Sequence, residues 1–290
     1  MTVELSEVMR SSGVAQTETK GKSGGGADAN SSADPASAPA AGLKIAISPE
    51  AVFRILVIVA LANVIVGTCA RLAIYAIAPD FDDPAIQAPP LARLLSRLDL
   101  GHEPSLPQLY SSMLLAASSV LLAVVAVTRS ERGLFSRARW PWWFLSIGFA
   151  YLSIDEAVTI HEMVNSVLGR FAAIGGVLNF PWVLVGGIVV LLVALSLLPF
   201  LLRLDARTRN YFLASGAIYV GGAIGLELVE SVIFETSGIA STEMTLAIAV
   251  EEGLEMLGVT LFIYALLDFL RRHGGSLRID LSPRRRPARR

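Results

Sequence analysis

Cysteine, histidine and charge are all scarce in this chain. Of its 290 residues, one is cysteine, three are histidine and 17% are charged. A single cysteine, Cys69, excludes an intramolecular disulfide, a CxxC metal site and a dithiol redox pair. It stands in an apolar run, where a thiol is expected to pack as a small buried side chain. Soluble domains carry roughly a quarter charged residues, so the shortage argues against one large soluble core. The net charge of -1 points to no strongly charged partner.

Several familiar signatures are missing as well. MTVELSEVMR has no apolar run, so a cleavable signal peptide is not expected. HEMVN at 161–165 puts Asn165 where HExxH needs its second histidine, which argues against a zincin-type protease. Carboxylate-bridged di-iron bundles take ExxH from two helices. Here Val158 stands at the acidic position before His161, and no other histidine lies in an apolar stretch. No inverted repeat relates the two halves.

Apolar sequence is what the chain has in abundance. Hydrophobic residues make up 53%, with a mean hydropathy of +0.59, and they gather in long runs. Residues 1–45 contain GKSGGGADANSSADPASAPAAG, too poor in apolar surface to offset chain entropy, and read as a disordered tail. Six stretches follow, near 51–79, 107–128, 140–167, 180–203, 210–236 and 244–270. Each is long enough for the roughly 20 residues that cross a hydrocarbon core. Unbroken runs, rather than alternating segments of about 10 residues, favour helices over a barrel. The expected fold is all-α: a polytopic bundle of six transmembrane helices over 46–272, with a basic tail over 273–290.

Arginine distribution orients the bundle. Arg129, Arg132, Arg137 and Arg139 lie between the second and third stretches. Arg203, Arg207 and Arg209 lie between the fourth and fifth, and Arg271, Arg272 and RRRPARR follow the sixth. The opposite connections are poor in bases, so the positive-inside rule puts both termini in the cytoplasm, in the plasma (inner) membrane. Trp140, Trp142 and Trp143 then fit an interfacial belt on the inner face, and Trp182 one on the outer face. PPLARLLSRLDL at 89–100 reads as an amphipathic helix on the outer interface, either a lid or a connector. The C-terminal arginines suit anionic lipid headgroups better than nucleic acid.

The chemistry lies in charges inside the apolar stretches, where they are costly and rare. YLSIDEAVTIHEMV carries Asp155, Glu156, His161 and Glu162; GLELVES carries Glu227 and Glu230; VEEGLEMLG carries Glu251, Glu252 and Glu255. Measured from the cytoplasmic end of each helix, all three groups fall roughly 22–33 Å along the rise, in the outer half of the membrane. Asp155 and Glu162, seven apart, are expected on one helix face, while the other acids pair at helical neighbour spacing. Arg71 supplies one counter-charge. So many acids at one depth call for protons or a divalent cation, with Fe, Mn or Zn the candidate metals. Asp155, His161, Glu162, Glu227, Glu230, Glu252 and Glu255 are the candidate ligands. Glu156 and Glu251 are the candidate catalytic proton carriers. The expected function is a metal-dependent membrane enzyme acting on a lipid or other hydrophobic substrate. A proton or metal-ion transporter or channel is the alternative, with Asp268 as the only acid toward the inner end; a structural membrane subunit is the third. The glycines Gly221, Gly222 and Gly225 are expected to let helices approach closely.

Overall fold

The computed structural model describes residues 44–46, 48–83, 86–128, 138–168, 182–274 and 278–280. The expected disorder of 1–43 and the basic runs at 129–137 and 281–290 lie outside these residues.

The described chain is helical. Its elements are α1 (Pro49–Ile77), α2 (Pro90–Leu95), α3 (Leu106–Thr128), α4 (Trp140–Val158), α5 (Ile160–Leu168), α6 (Trp182–Leu201), α7 (Ala206–Val220), a π-helical turn (Gly221–Leu226), α8 (Glu227–Ser237) and α9 (Thr242–Gly274). Separately, β1 (Lys44–Ala46) and β2 (Arg278–Asp280) pair antiparallel, so Lys44 and Ile45, at the end of the segment read as disordered, join a ladder.

Helix starts follow ordinary capping chemistry. Ser48 accepts the Ala51 N–H at 3.3 Å, with Pro49 opening α1. Asp205 accepts the Thr208 N–H at 3.1 Å and starts α7. Gly238, at φ 81°, ends α8 in a conformation that favours glycine.

Among the described residues, five helices are long and apolar enough to cross a membrane: Pro49–Ile77, Leu106–Thr128, Trp182–Leu201, Ala206–Ser237 and Thr242–His273. This is the architecture of a multi-pass membrane protein. The expected span at 140–167 is not among them. Its apolar stretch is diluted by Trp140, Pro141, Trp142 and Trp143 at one end and Asp155 and Glu156 at the other. It is also broken, because Thr159 takes a left-handed conformation (φ 55°, ψ 47°) between α4 and α5. A β-branched residue there carries strain of order 1–2 kcal/mol.

The centre of the bundle is α9. Of its most apolar window 67% is buried, against 11% for α1 and for α6, which therefore turn most of their surface outward. α9 packs against α1, α3, α7 and α8. One core cluster joins Met256, Val259 and Ile263 of α9 to Leu114 and Leu115 of α3 and Ala60 of α1. A second surrounds Trp142, which is 1% exposed and lies edge-on to Phe200 and Phe212. Trp142 is therefore a core residue and not part of an interfacial belt, whereas Trp140 is exposed. Cys69 is exposed rather than buried, since it falls on the outward side of α1.

α3 and α4 run antiparallel, joined by reciprocal serine rungs. Ser112 Oγ donates to the Ser153 carbonyl at 2.8 Å and Ser153 Oγ donates back to that of Ser112 at 2.9 Å. Ser119 and Ser146 repeat the exchange at 2.7 and 2.9 Å. Small hydroxyl residues let helices approach and hydrogen-bond where no water competes. The Gln108 side-chain amide adds a bond to the Glu156 carbonyl at 2.6 Å. These contacts place the acidic end of α4.

Candidate metal centre

Two helices bring three carboxylates together. Glu227 and Glu230, on the first turn of α8, face Glu251 of α9, and one oxygen from each lies within 4.8 Å of the others. Glu230 and Glu251 are buried, 7% and 9% exposed, and their carboxyl groups lie within hydrogen-bonding reach of each other. One Glu230 oxygen, Oε1, is buried with no partner.

The approach of the helices depends on glycine at one of the three positions expected to serve it. A Cβ on Gly222 would stand 3.0 Å from the Glu251 carbonyl oxygen and 3.2 Å from Glu255 Cγ. Gly221 and Gly225 have nothing comparable nearby; they belong to the π turn, whose wider coil ends where Glu227 begins. Such turns recur at functional sites because the additional residue re-aims the side chains that follow.

The other expected residues are distributed around this set. Glu252 and Glu255 of α9 are electrostatic neighbours of each other, of Glu156 on α4 and of Glu227 and Glu230. Glu252 Oε2 is buried without a partner. The cluster also takes in Glu103, from the connection before α3, which interacts with Glu156 and Glu252. Sequence reasoning missed Glu103 because it reads as an ordinary loop acid. It missed Tyr219 too, a neighbour of Glu255, Glu156 and Glu252; a tyrosine within an apolar run carries no distinguishing signal.

Asp155 and His161 pair with each other. The Asp155 carboxylate accepts the His161 backbone N–H at 3.0 Å and faces the ring Nδ1 at 3.2 Å. Asp155 thus caps α5 across the Thr159 break. The expectation that Asp155 and Glu162 share a face rests on seven-residue spacing along one continuous helix, and the backbone breaks between them at Thr159. The Glu162 side chain lies outside the described residues.

Trp182, at the start of α6, ties this group to the carboxylate set. Its Nε1–H donates to Glu227 Oε1 at 3.1 Å, its backbone N–H donates to Asn165 Oδ1 at 3.0 Å, and the His161 ring lies 5.3 Å from its own.

The expected counter-charge, Arg71, is 3% exposed and mainly committed elsewhere. It pairs with Asp99 at 3.2 Å and donates to the Ile239 carbonyl at 3.3 Å, while interacting electrostatically with Glu230. Burial holds the Asp99 carboxyl above the usual carboxylate range, with Arg71 opposing the shift. Gly101 makes room, since a Cβ there would meet Arg71 Nη1 at 2.8 Å. The 89–100 stretch is helical only over Pro90–Leu95, because the chain then turns inward to bury Asp99 and Leu100.

A family model described as Domain of unknown function (DUF8692) matches residues 51–270. The chain belongs to this family. The DUF8692 match contains every candidate residue from Asp155 to Glu255 and stops short of the basic tail. No curated protein and no solved structure matches the chain.

Proposed function

We propose that this protein is a metal-dependent enzyme of the cytoplasmic (inner) membrane that acts on a lipid or other hydrophobic substrate. The observation that carries the reading is the set of Glu227, Glu230 and Glu251, with oxygens within 4.8 Å of one another and a buried Glu230 oxygen lacking a partner. Like charges so close in an apolar setting need a proton or a cation between them. A divalent ion satisfies three acids at once. Bound there, it would supply an activated water or polarise a substrate oxygen. Glu252 and Glu255, electrostatic neighbours of the set, and Glu156, a neighbour of both, would carry protons to and from it.

Six crossings with both termini cytoplasmic remain the preferred topology. α4 lies along α3 through its serine rungs, which supports counting the third stretch as a span despite its acids. Reporter fusions after Arg132, Arg207 and Arg272 should read cytoplasmic, and fusions near Ala88, Ile174 and Ile239 external. Opposite readings at the two termini would leave five crossings. The basic tail suits anionic lipid headgroups and no nucleic acid.

Proton or metal-ion transport is the second reading. It is favoured by the closeness of Glu230 and Glu251, because a proton held by one of two neighbouring carboxyl groups relieves their repulsion. Against it, the acids have no continuation along α9, where Asp268 is held by three arginines. Metal analysis of detergent-purified protein decides between them. Stoichiometric divalent metal, with a melting temperature lowered by chelator, supports the enzyme. Metal-free protein that conducts protons or ions in liposomes supports transport.

A further inference from the structure

We infer that Glu227, Glu230 and Glu251 form an oxygen-only site for a hard divalent cation of the Mn2+, Mg2+ and Ca2+ class, with Trp182 as the positioning residue that holds Glu227 in place. This deepens the metal-dependent reading and rests on it.

The donor chemistry comes first. All three groups in the set are carboxylates. His161, expected to join them, is not among the three groups whose ligand atoms meet within 4.8 Å; its Nδ1 faces Asp155 at 3.2 Å and its ring lies against that of Trp182. Sites that select zinc or iron over harder ions mix imidazole or thiolate with carboxylate, whereas carboxylate, carbonyl and water suit Mg, Ca and Mn. Cys69, the chain's one thiol, is on α1 and exposed. An acidic cluster alone would not make a site. The independent observation is Glu230: its side chain belongs to a residue only 7% exposed, and its Oε1 has no hydrogen-bond partner. A buried carboxyl oxygen beside two other carboxylates leaves an acceptor unsatisfied, and a cation with a preference for oxygen satisfies it.

The placement of Glu227 supplies the second half. Its carboxylate begins α8 directly after the π turn. Trp182 reaches it from another helix, with the indole N–H on Oε1 at 3.1 Å. Trp182 is itself fixed by Asn165, which accepts its backbone N–H at 3.0 Å. A donor on one carboxylate oxygen orients the group and directs its other oxygen. Such partners of a ligand typically change metal affinity by about 10–100-fold when removed.

The test uses the full chain in detergent, stripped with chelator and titrated with Mn2+ under electron paramagnetic resonance. One Mn2+ is expected per chain. Millimolar Mg2+ or Ca2+ should displace it, and the bound ion should show no 14N coupling from a ligated imidazole. Trp182→Phe keeps the ring and removes the N–H. It should weaken Mn2+ binding about 10–100-fold and abolish the Mn2+-dependent quenching of tryptophan emission expected of the wild type. Imidazole coupling, or failure of Mg2+ and Ca2+ to compete, would overturn the oxygen-only site while leaving a metal-dependent protein. Unchanged Mn2+ affinity in Trp182→Phe would overturn the positioning role. Both wild-type measurements stand even if that variant does not fold. No Mn2+ binding at all, together with no other bound metal, would sink this inference and the enzyme reading.

Discussion

Glu251 and Asp268 lie on the same helix, separated by about 25 Å of rise, and their surroundings answer their charge in opposite ways. Asp268 is 1% exposed and receives Arg207, Arg271 and Arg272, each at 3.0 Å. The network extends further: Arg271 reaches Glu50 at 2.8 Å and Arg272 reaches Asp205 at 3.1 Å. Acids and bases there are nearly matched, and the contacts join α1, α7 and α9. Around Glu251 the neighbours are Glu227, Glu230 and Glu255. Arg71, the cation within reach, is shared with Asp99. A balanced cluster is complete as it stands and holds helices together. An unbalanced one needs something the chain does not supply. On the proposed reading, the difference separates a structural use of buried charge from a ligand-binding one.

Neutralising each end in turn sharpens this contrast. The largest effect is expected from Glu251→Gln, which should lower divalent-cation affinity by more than about 100-fold, since even indirect partners of a ligand are worth 10–100-fold. In chelator its melting temperature should hold or rise, because a crowded like charge has gone. Calorimetry with and without Mn2+ checks both. A large loss of stability in chelator would make Glu251 as structural as Asp268.

Asp268→Asn should cost about 2–4 kcal/mol whether or not cation is present, because three arginines lose the anion they surround. Denaturant melts in detergent, with and without chelator, provide the measurement. A cation-dependent change would tie the two ends together and revive a path along α9.

A smaller loss, about 0.6 kcal/mol for each substitution, is expected from Ser112→Ala or Ser119→Ala. The two should add nearly fully, since their rungs are separate. Folding under competition in bicelles can resolve such values. A disproportionate drop in Mn2+ affinity would show that the rungs also hold the acidic end of α4 in place.

The smallest effect concerns pH. Asp205 is pulled down to about 2: burial opposes the shift, but the Thr208 hydroxyl and amide and then Arg272 outweigh it. A folded value below the unfolded one contributes stability that is complete above about pH 4 and is lost as pH falls toward 2. Melting temperature against pH should decline through that window, and Asp205→Asn should flatten the decline. An equal slope in both proteins would place the acid sensitivity in other carboxylates.

Much of this was legible in sequence because it depends on long-range averages. The described helices begin within about four residues of the expected stretches, since twenty apolar residues in a row have few other fates. The acids of α8 and α9 meet because neighbouring antiparallel helices bring equal depths together. What escaped depends on single residues. Nothing in the run around Thr159 announces a left-handed break, which disfavoured geometry hides rather than advertises. Trp142 was assigned to an interface because tryptophan is common there, yet its partners Phe200, Phe212 and Phe269 enclose it. Trp182 was assigned there too, and only the hydrogen bond to Glu227 shows what its N–H does. Pairings such as Arg71 with Asp99 link distant positions that no local pattern connects.

The π turn at Gly221–Leu226 makes the arrangement of the acids a matter of residue count. A π turn is an α-helix with one residue inserted, so removing a single residue between Tyr219 and Glu227 would restore ordinary winding. Every side chain beyond it would then rotate by about 100° relative to α7. Glu227 and Glu230 would keep their identities and lose their partner on α9. An alignment that closes such a one-residue gap for neatness would therefore pair acids that do not occupy the same place.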